Sequence, residues 1–125
     1  MKTTTLEQGR QSEQACCDYL QQQGLKLLEK NFRGRHGEID LIMLEGKTLV
    51  FVEVRYRKNN NFGGALASIT PQKQHRISAT AEFYLQQQPK YKNARIDVVG
   101  MAQKPQNSHE STRTEYSFEW IKNAF

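Results

Sequence analysis

The chain has 125 residues, 37% of them hydrophobic and 25% charged, enough for one hydrophobic core without disulfide or metal staples and unlike a disordered segment. No stretch is apolar for the length a bilayer demands, MKTTTLEQGRQ at the N-terminus carries no signal-peptide pattern, and the only two cysteines are adjacent and point apart on a predicted helix. These features favour a reducing, cytoplasmic location with no membrane partner. A net charge of +5 and a pI near 9.3 favour a polyanionic partner, nucleic acid ahead of an anionic membrane, since no basic amphipathic helix is evident.

Residues 4–24 read as a helix, with a capping box at Thr5–Gln8 and Gly24 as its stop. Glu13, Cys16, Cys17 and Leu20 recur at the spacing of one helical face. The cysteines read as packing residues. Glu13 lies in line with the same stripe, either turned inward or at its rim with the carboxylate in solvent. Residues 25–32 read as a first, edge strand, followed by the glycine-flanked basic loop Arg33-Gly34-Arg35-His36-Gly37.

Residues 38–44 alternate as a strand, with Glu38, Asp40, Ile42 and Leu44 on one face and Ile39, Leu41 and Met43 on the other. Residues 47–57 are apolar on both faces, which predicts a central strand covered on both sides. Leu49, Phe51, Glu53, Arg55 and Arg57 share one of those faces. A two-residue loop at Glu45-Gly46 sets Glu38 opposite Glu53, and a four-residue loop sets Asp40 opposite Glu53. Both registers make Asp40 and Glu53 direct or diagonal neighbours; an odd-length loop would part them.

A polar, glycine-rich loop, KNNNFGG, follows at residues 58–64. Thr70 as N-cap and Pro71 at the first helical position then start a second helix, which runs to about Gln88. Its stripe is Ile77, Ala81, Tyr84 and Leu85. Lys73 sits one turn ahead on the core side, either pointing inward or snorkelling out. Residues 94–101 and 115–121 are further strands, separated by a polar stretch. The order helix, three strands, helix, two strands predicts an α/β fold: one domain over residues 1–125, a central mixed sheet flanked by helices.

Glu53 interrupts the longest apolar run in the sequence, and burying a carboxylate there costs several kcal/mol unless it is paired or binds a cation. Carboxylates on adjacent strands suit Mg²⁺ or Mn²⁺ better than zinc. Arg55 shares the face of Glu53, where it would orient a water or stabilise charge on a phosphoryl group. Arg33, Arg35, Arg57 and Lys58 border the carboxylate strands as phosphate contacts. The pattern points to metal-assisted phosphodiester cleavage, and equally to a structural ion pair of Arg55 with Glu53 or Asp40.

GEIDLI followed by LVFVEVRYR resembles the PD-(D/E)xK nuclease superfamily, whose restriction-endonuclease-like core includes archaeal Holliday-junction resolvases. More closely, the chain is similar to the small, functionally uncharacterised bacterial YraN-like family. That likeness rests on Glu13-Gln14-Ala15 with Tyr19-Leu20, Asn31-Phe32-Arg33, Gly37-Glu38-Ile39-Asp40 and Phe51-Val52-Glu53-Val54. It continues through Lys73, Tyr84-Leu85, Ile96-Asp97-Val98-Val99 and the terminal residues 120–125. The resemblance implies that Asp40 and Glu53 ligate Mg²⁺ or Mn²⁺, that Glu13 holds the metal through water, and that Lys73 touches substrate or active site. It implies a metal-dependent nuclease, or a nuclease-derived nucleic-acid-binding protein, acting on DNA phosphodiesters, branched DNA among them. Junction resolvases act as dimers, so a homodimer belongs to the same expectation. Two departures stand out. Arg55 occupies the superfamily's lysine position, and arginine neither gives up its proton nor substitutes for a compact ammonium; Ser12 stands where the family usually has glycine. The alternatives are a nucleic-acid-binding module with weak or no turnover, and a small protein–protein adaptor.

Overall fold

The structure is a computed structural model and describes residues 5–57, 64–104 and 115–125. Lys58 and most of the two predicted loops lie outside the described residues, as does the side chain of Thr5 on which the capping box rests.

Helix α1 spans Thr5–Gln22. It ends in a Schellman turn, with the Gly24 N–H donating to the Gln21 carbonyl and the Leu25 N–H to the Leu20 carbonyl, each at 3.0 Å. Leu20 and Leu25 then meet in the core, which is the apolar contact that usually accompanies this turn. Strands β1 (Lys26–Arg33), β2 (Glu38–Glu45) and β3 (Thr48–Arg57) follow as antiparallel neighbours. A 3-10 turn (Ala65–Ser68) and helix α2 (Pro71–Gln87) lead into β4 (Asn93–Gln103), which pairs parallel to β3. The last strand, β5 (Tyr116–Ile121), returns antiparallel on β4. The sheet order is therefore β1-β2-β3-β4-β5: mixed, with β1 at one edge and β3 in the centre. The α/β architecture, edge strand and central strand match the sequence expectation. Parallel β3–β4 pairing needs a crossover, and α2 supplies it.

The two helices cover opposite faces. Beneath α1, Cys16, Cys17 and Leu20 pack on Leu41, Met43, Val50 and Val52. Both cysteines are buried and free, as packing residues. Leu20 is wholly buried, and burial of a side chain of that size contributes about 1.5–3 kcal/mol relative to exposure. Beneath α2, Ala81 and Tyr84 pack on Ile42, Leu49 and Phe51, while Ile77 joins Ala65, Ile69 and Val98 under the 3-10 turn.

Two details of the β2–β3 hairpin differ from expectation. The turn is Gly46-Lys47 rather than Glu45-Gly46, because Glu45 still pairs with Thr48. Gly46 has φ +61°, the left-handed conformation that a tight hairpin turn of this kind demands and glycine adopts without a steric cost. The register is consequently the one with Leu44 opposite Leu49, which carries Asp40 to the level of Glu53. The strict alternation of β2 also fails near Asp40. Ile39 packs beneath α2 with Ile42, whereas Leu41 and Met43 pack beneath α1.

Candidate functional site

The β2–β3 ladder runs from Glu45↔Thr48 to Leu41↔Val52, and Asp40 and Glu53 stand at its end. There the Val54 N–H donates to the Asp40 carboxylate at 2.8 Å, so a side chain takes a donor that strand pairing would otherwise use. Glu53 is only 4% exposed. Burial is the main cause that pushes the Asp40 carboxyl up to about 8, followed by the charge of Glu53, with which it also shares a hydrogen bond. The Val54 N–H works against that shift but does not cancel it. Two carboxylates thus face each other in a largely dry setting with one backbone donor between them.

The cations lie on the α2 side. Thr70 caps α2 by accepting from the Lys73 N–H at 3.1 Å, which fixes the first turn over the end of β3. Lys73 Nζ lies 3.8 Å from Glu53 Oε2, with its side chain 41% exposed. The lysine therefore snorkels along its stem and still brings its charge to the carboxylate. Arg55 Nη1 lies 3.7 Å from the same Glu53 oxygen. Its other nitrogens are anchored: Nε donates to Ser68 Oγ at 3.1 Å and Nη2 to the Ser68 carbonyl at 3.0 Å. Of the two ion pairs the sequence left open for Arg55, the pair with Glu53 is the one formed.

On the α1 side, Glu13 is half-buried rather than fully solvated. Burial raises its carboxyl first, and then the charge of Asp40; a hydrogen bond from Asn31 and the charge of Lys30 pull it down, and Glu38 pushes it up. Glu13, Glu38, Asp40 and Glu53 accordingly form one electrostatic cluster between the helices. Glu38, on the face predicted to carry Asp40, joins it and is also 3.7 Å from Arg33 Nε. Asn31 has φ +53°, and the β1–β2 register places it across from Asp40. A non-glycine residue in the left-handed region is uncommon, asparagine tolerates it best, and such conformations gather at functional sites. An asparagine inside a predicted strand was the available signal for it. For Ser68 the sequence held none.

Of the predicted phosphate contacts, Arg33 alone among the described residues touches the cluster, through Glu38. Arg33 is 83% exposed apart from its Glu38 pairing. Arg35 lines a separate concavity against α2. Arg57 ends β3 opposite Ala102. Lys58 lies outside the described residues.

Among the described residues no group of three or more His, Cys, Asp or Glu side chains is arranged to hold a metal ion by itself. The donor chemistry of the pair still fits one class of ion. Mg²⁺ keeps several waters and is commonly held by one or two carboxylates, and a divalent cation would replace the proton that burial and Glu53 keep on Asp40.

Fold and site together define a small α/β protein with a largely desolvated carboxylate pair where β2 and β3 part, flanked by a lysine and an arginine. A family model described as "Uncharacterised protein family UPF0102" matches residues 12–101, a span that includes Glu13, Asp40, Glu53, Arg55 and Lys73. A UPF0102 protein of Colwellia psychrerythraea is 43% identical over 126 residues, covering 98% of this chain and 92% of the relative. One from Pseudomonas putida strain GB-1 is 46% identical over 119 residues, covering 94% and 91%. One from Nitrosococcus oceani is 44% identical over 124 residues, covering 98% and 94%. The chain belongs to the UPF0102 family, in line with the YraN-like resemblance of its sequence. Among the described residues no helix is long and apolar enough to cross a membrane.

Proposed function

We propose that the chain is a divalent-metal-dependent nuclease, or a nuclease-derived nucleic-acid-binding protein, acting on DNA phosphodiesters in the cytoplasm. The observation that carries this reading is the Asp40–Glu53 pair: a buried glutamate against a partly buried aspartate, with the Asp40 carboxyl raised to about 8. A purely structural pair gains nothing from that repulsion, whereas a bound Mg²⁺ or Mn²⁺ would relieve it. Asp40 and Glu53 would ligate the ion directly, and Glu13 through water. When bound, the ion would polarise a phosphoryl oxygen and acidify a bound water. Lys73, 3.8 Å from Glu53, would stabilise negative charge growing on the phosphoryl group, and Arg33 and Arg35 would contact flanking phosphates. The likeness of GEIDLI and LVFVEVRYR to PD-(D/E)xK nucleases supports the same assignment.

The anchoring of Arg55 favours a second reading, a nucleic-acid-binding module with little turnover. A guanidinium held at two points by Ser68 is a fixed charge and not a mobile donor to an attacking water. A cleavage screen over duplex, flapped, junction and single-stranded DNA with Mg²⁺ or Mn²⁺ separates the two. The nuclease reading predicts metal-dependent cleavage that Asp40→Asn abolishes. Tight binding without cleavage supports the second reading, and neither binding nor cleavage overturns both.

A further inference from the structure

The basic loop between β1 and β2 does more than lead into the carboxylate strand. It closes on itself through the Gly34 N–H, which donates to the Gly37 carbonyl at 2.9 Å, and it lies flat against α2. The approach is close: a β-carbon at Gly34 would sit 3.3 Å from both Phe83 Cδ2 and Thr80 Cγ2. Behind the loop, the Phe32 ring lies 6.2 Å from Phe83 at an interplanar angle of 30°. Phe83 is thereby fixed by its surroundings and nevertheless 38% exposed, one of two large apolar side chains left so among the described residues. A lone exposed apolar residue needs no explanation. This one lines a concavity of about 490 Å³ together with Arg35, His36, Glu82 and Gln86.

That combination matches one kind of ligand. The volume falls within the range of small-ligand pockets. A rigid aromatic ring supplies a face for a planar group, Gln86 and Glu82 supply polar atoms for that group's edge, and Arg35 supplies a cation from the loop. Ten residues of α2 separate Lys73 from Phe83, roughly 15 Å at the helical rise, so the pocket lies a few nucleotides from the carboxylate pair. We propose that this pocket stacks one unpaired nucleobase on Phe83 while Arg35 holds the adjoining phosphate, so that the chain prefers nucleic acid with unpaired bases. The proposal rests on the nucleic-acid reading above and specifies the substrate's form. Inside a duplex both faces of a base are already stacked, and the pocket gains nothing.

The test is fluorescence anisotropy with the full chain, at low salt and with a chelator present, using a labelled single-stranded DNA and its duplex. Phe83→Leu keeps apolar packing on Phe32 and removes the ring face; it should weaken single-strand binding about tenfold and leave duplex binding within about twofold. Phe83→Trp should bind the single strand at least as well as wild type, and its added indole emission should be quenched on binding. Unchanged single-strand affinity in Phe83→Leu, equal losses on both forms, or wild-type binding to duplex alone would each overturn the stacking proposal while leaving nucleic-acid binding intact. No binding of either form by wild type overturns both.

Discussion

Two aspartates lie inside this sheet, Asp97 on β4 fully buried and Asp40 on β2 partly so, and their surroundings could hardly differ more. Asp97 is 0% exposed and surrounded by donors. Arg95 Nε donates to its two oxygens at 3.0 and 3.2 Å, Trp120 Nε1 at 2.9 Å and the Asn123 N–H at 2.8 Å. Its charge is matched, its lone pairs are occupied, and it pins β5 and the C-terminal turn to β4. Asp40 has one backbone donor and faces a second carboxylate. Burial alone therefore does not mark a functional carboxylate. The incomplete neutralisation of Asp40 is the feature on which the proposed cation site rests, because a desolvated group lacking a full set of partners costs stability.

The contrast predicts opposite responses to mutation. Asp97→Ala leaves Arg95 with Glu45 as its remaining partner and strands two N–H donors, and should destabilise the chain by about 3–5 kcal/mol in denaturant unfolding. A loss below about 1 kcal/mol would erase the distinction drawn between the two sites. Asp40→Asn should do the reverse. The amide oxygen still accepts from Val54, the repulsion with Glu53 disappears, and metal-free stability at pH 8 should rise by about 1–3 kcal/mol.

Stability against pH sharpens the same point. Since the Asp40 carboxyl is raised from 3.8 to about 8 on folding, the folded chain keeps a proton there that the unfolded chain releases. The unfolded state thus binds fewer protons, and the contribution of Asp40 falls as pH climbs from about 4 to about 8, with no cost below that window and the full cost above it. Thermal melts of metal-free wild type should show this decline beyond any seen in Asp40→Asn. Parallel profiles for the two proteins would contradict it.

Smaller effects follow at the periphery. Arg55→Lys gives up the two-point hold on Ser68 and should cost about 1–2 kcal/mol by chemical denaturation; no cost would make Arg55 a free charge and not an anchor. Glu13→Gln should change stability by less than about 0.5 kcal/mol, because its half-exposed carboxylate is screened by solvent. A larger gain would place Glu13 deeper in the cluster than its exposure indicates.

Much of the scaffold was legible in the sequence because it depends on local periodicity. The double-sided apolar run of β3 announced a central strand, Thr70-Pro71 announced the start of α2, and the stripe of α1 placed Glu13 beside the core. The nearness of Asp40 and Glu53 followed from pairing the two strands as a hairpin, although the alternation of β2 fails near Asp40 and the register waited on Gly46 and the shift of the turn by one residue. What the sequence could not separate were Glu53 and Asp97, each a carboxylate interrupting an apolar run. The donors that settle Asp97 come from Trp120 and Asn123, 23 and 26 residues away, and from a C-terminal turn with Asn123 at φ +52°. The Arg55–Ser68 clamp and the Asn31–Glu13 contact were hidden for the same reason. Each depends on where one element lands on another, and no spacing along the chain encodes that.

Calorimetric titration of Mn²⁺ into the metal-free full chain tests most directly whether the Asp40–Glu53 pair is a cation site. Wild type should bind one ion, and Asp40→Asn, still folded, should bind it more than about tenfold more weakly, a loss of about 1.4 kcal/mol or more. Equal affinity in the two proteins, or no heat of binding in wild type, would contradict the account and leave the pair a strained structural feature.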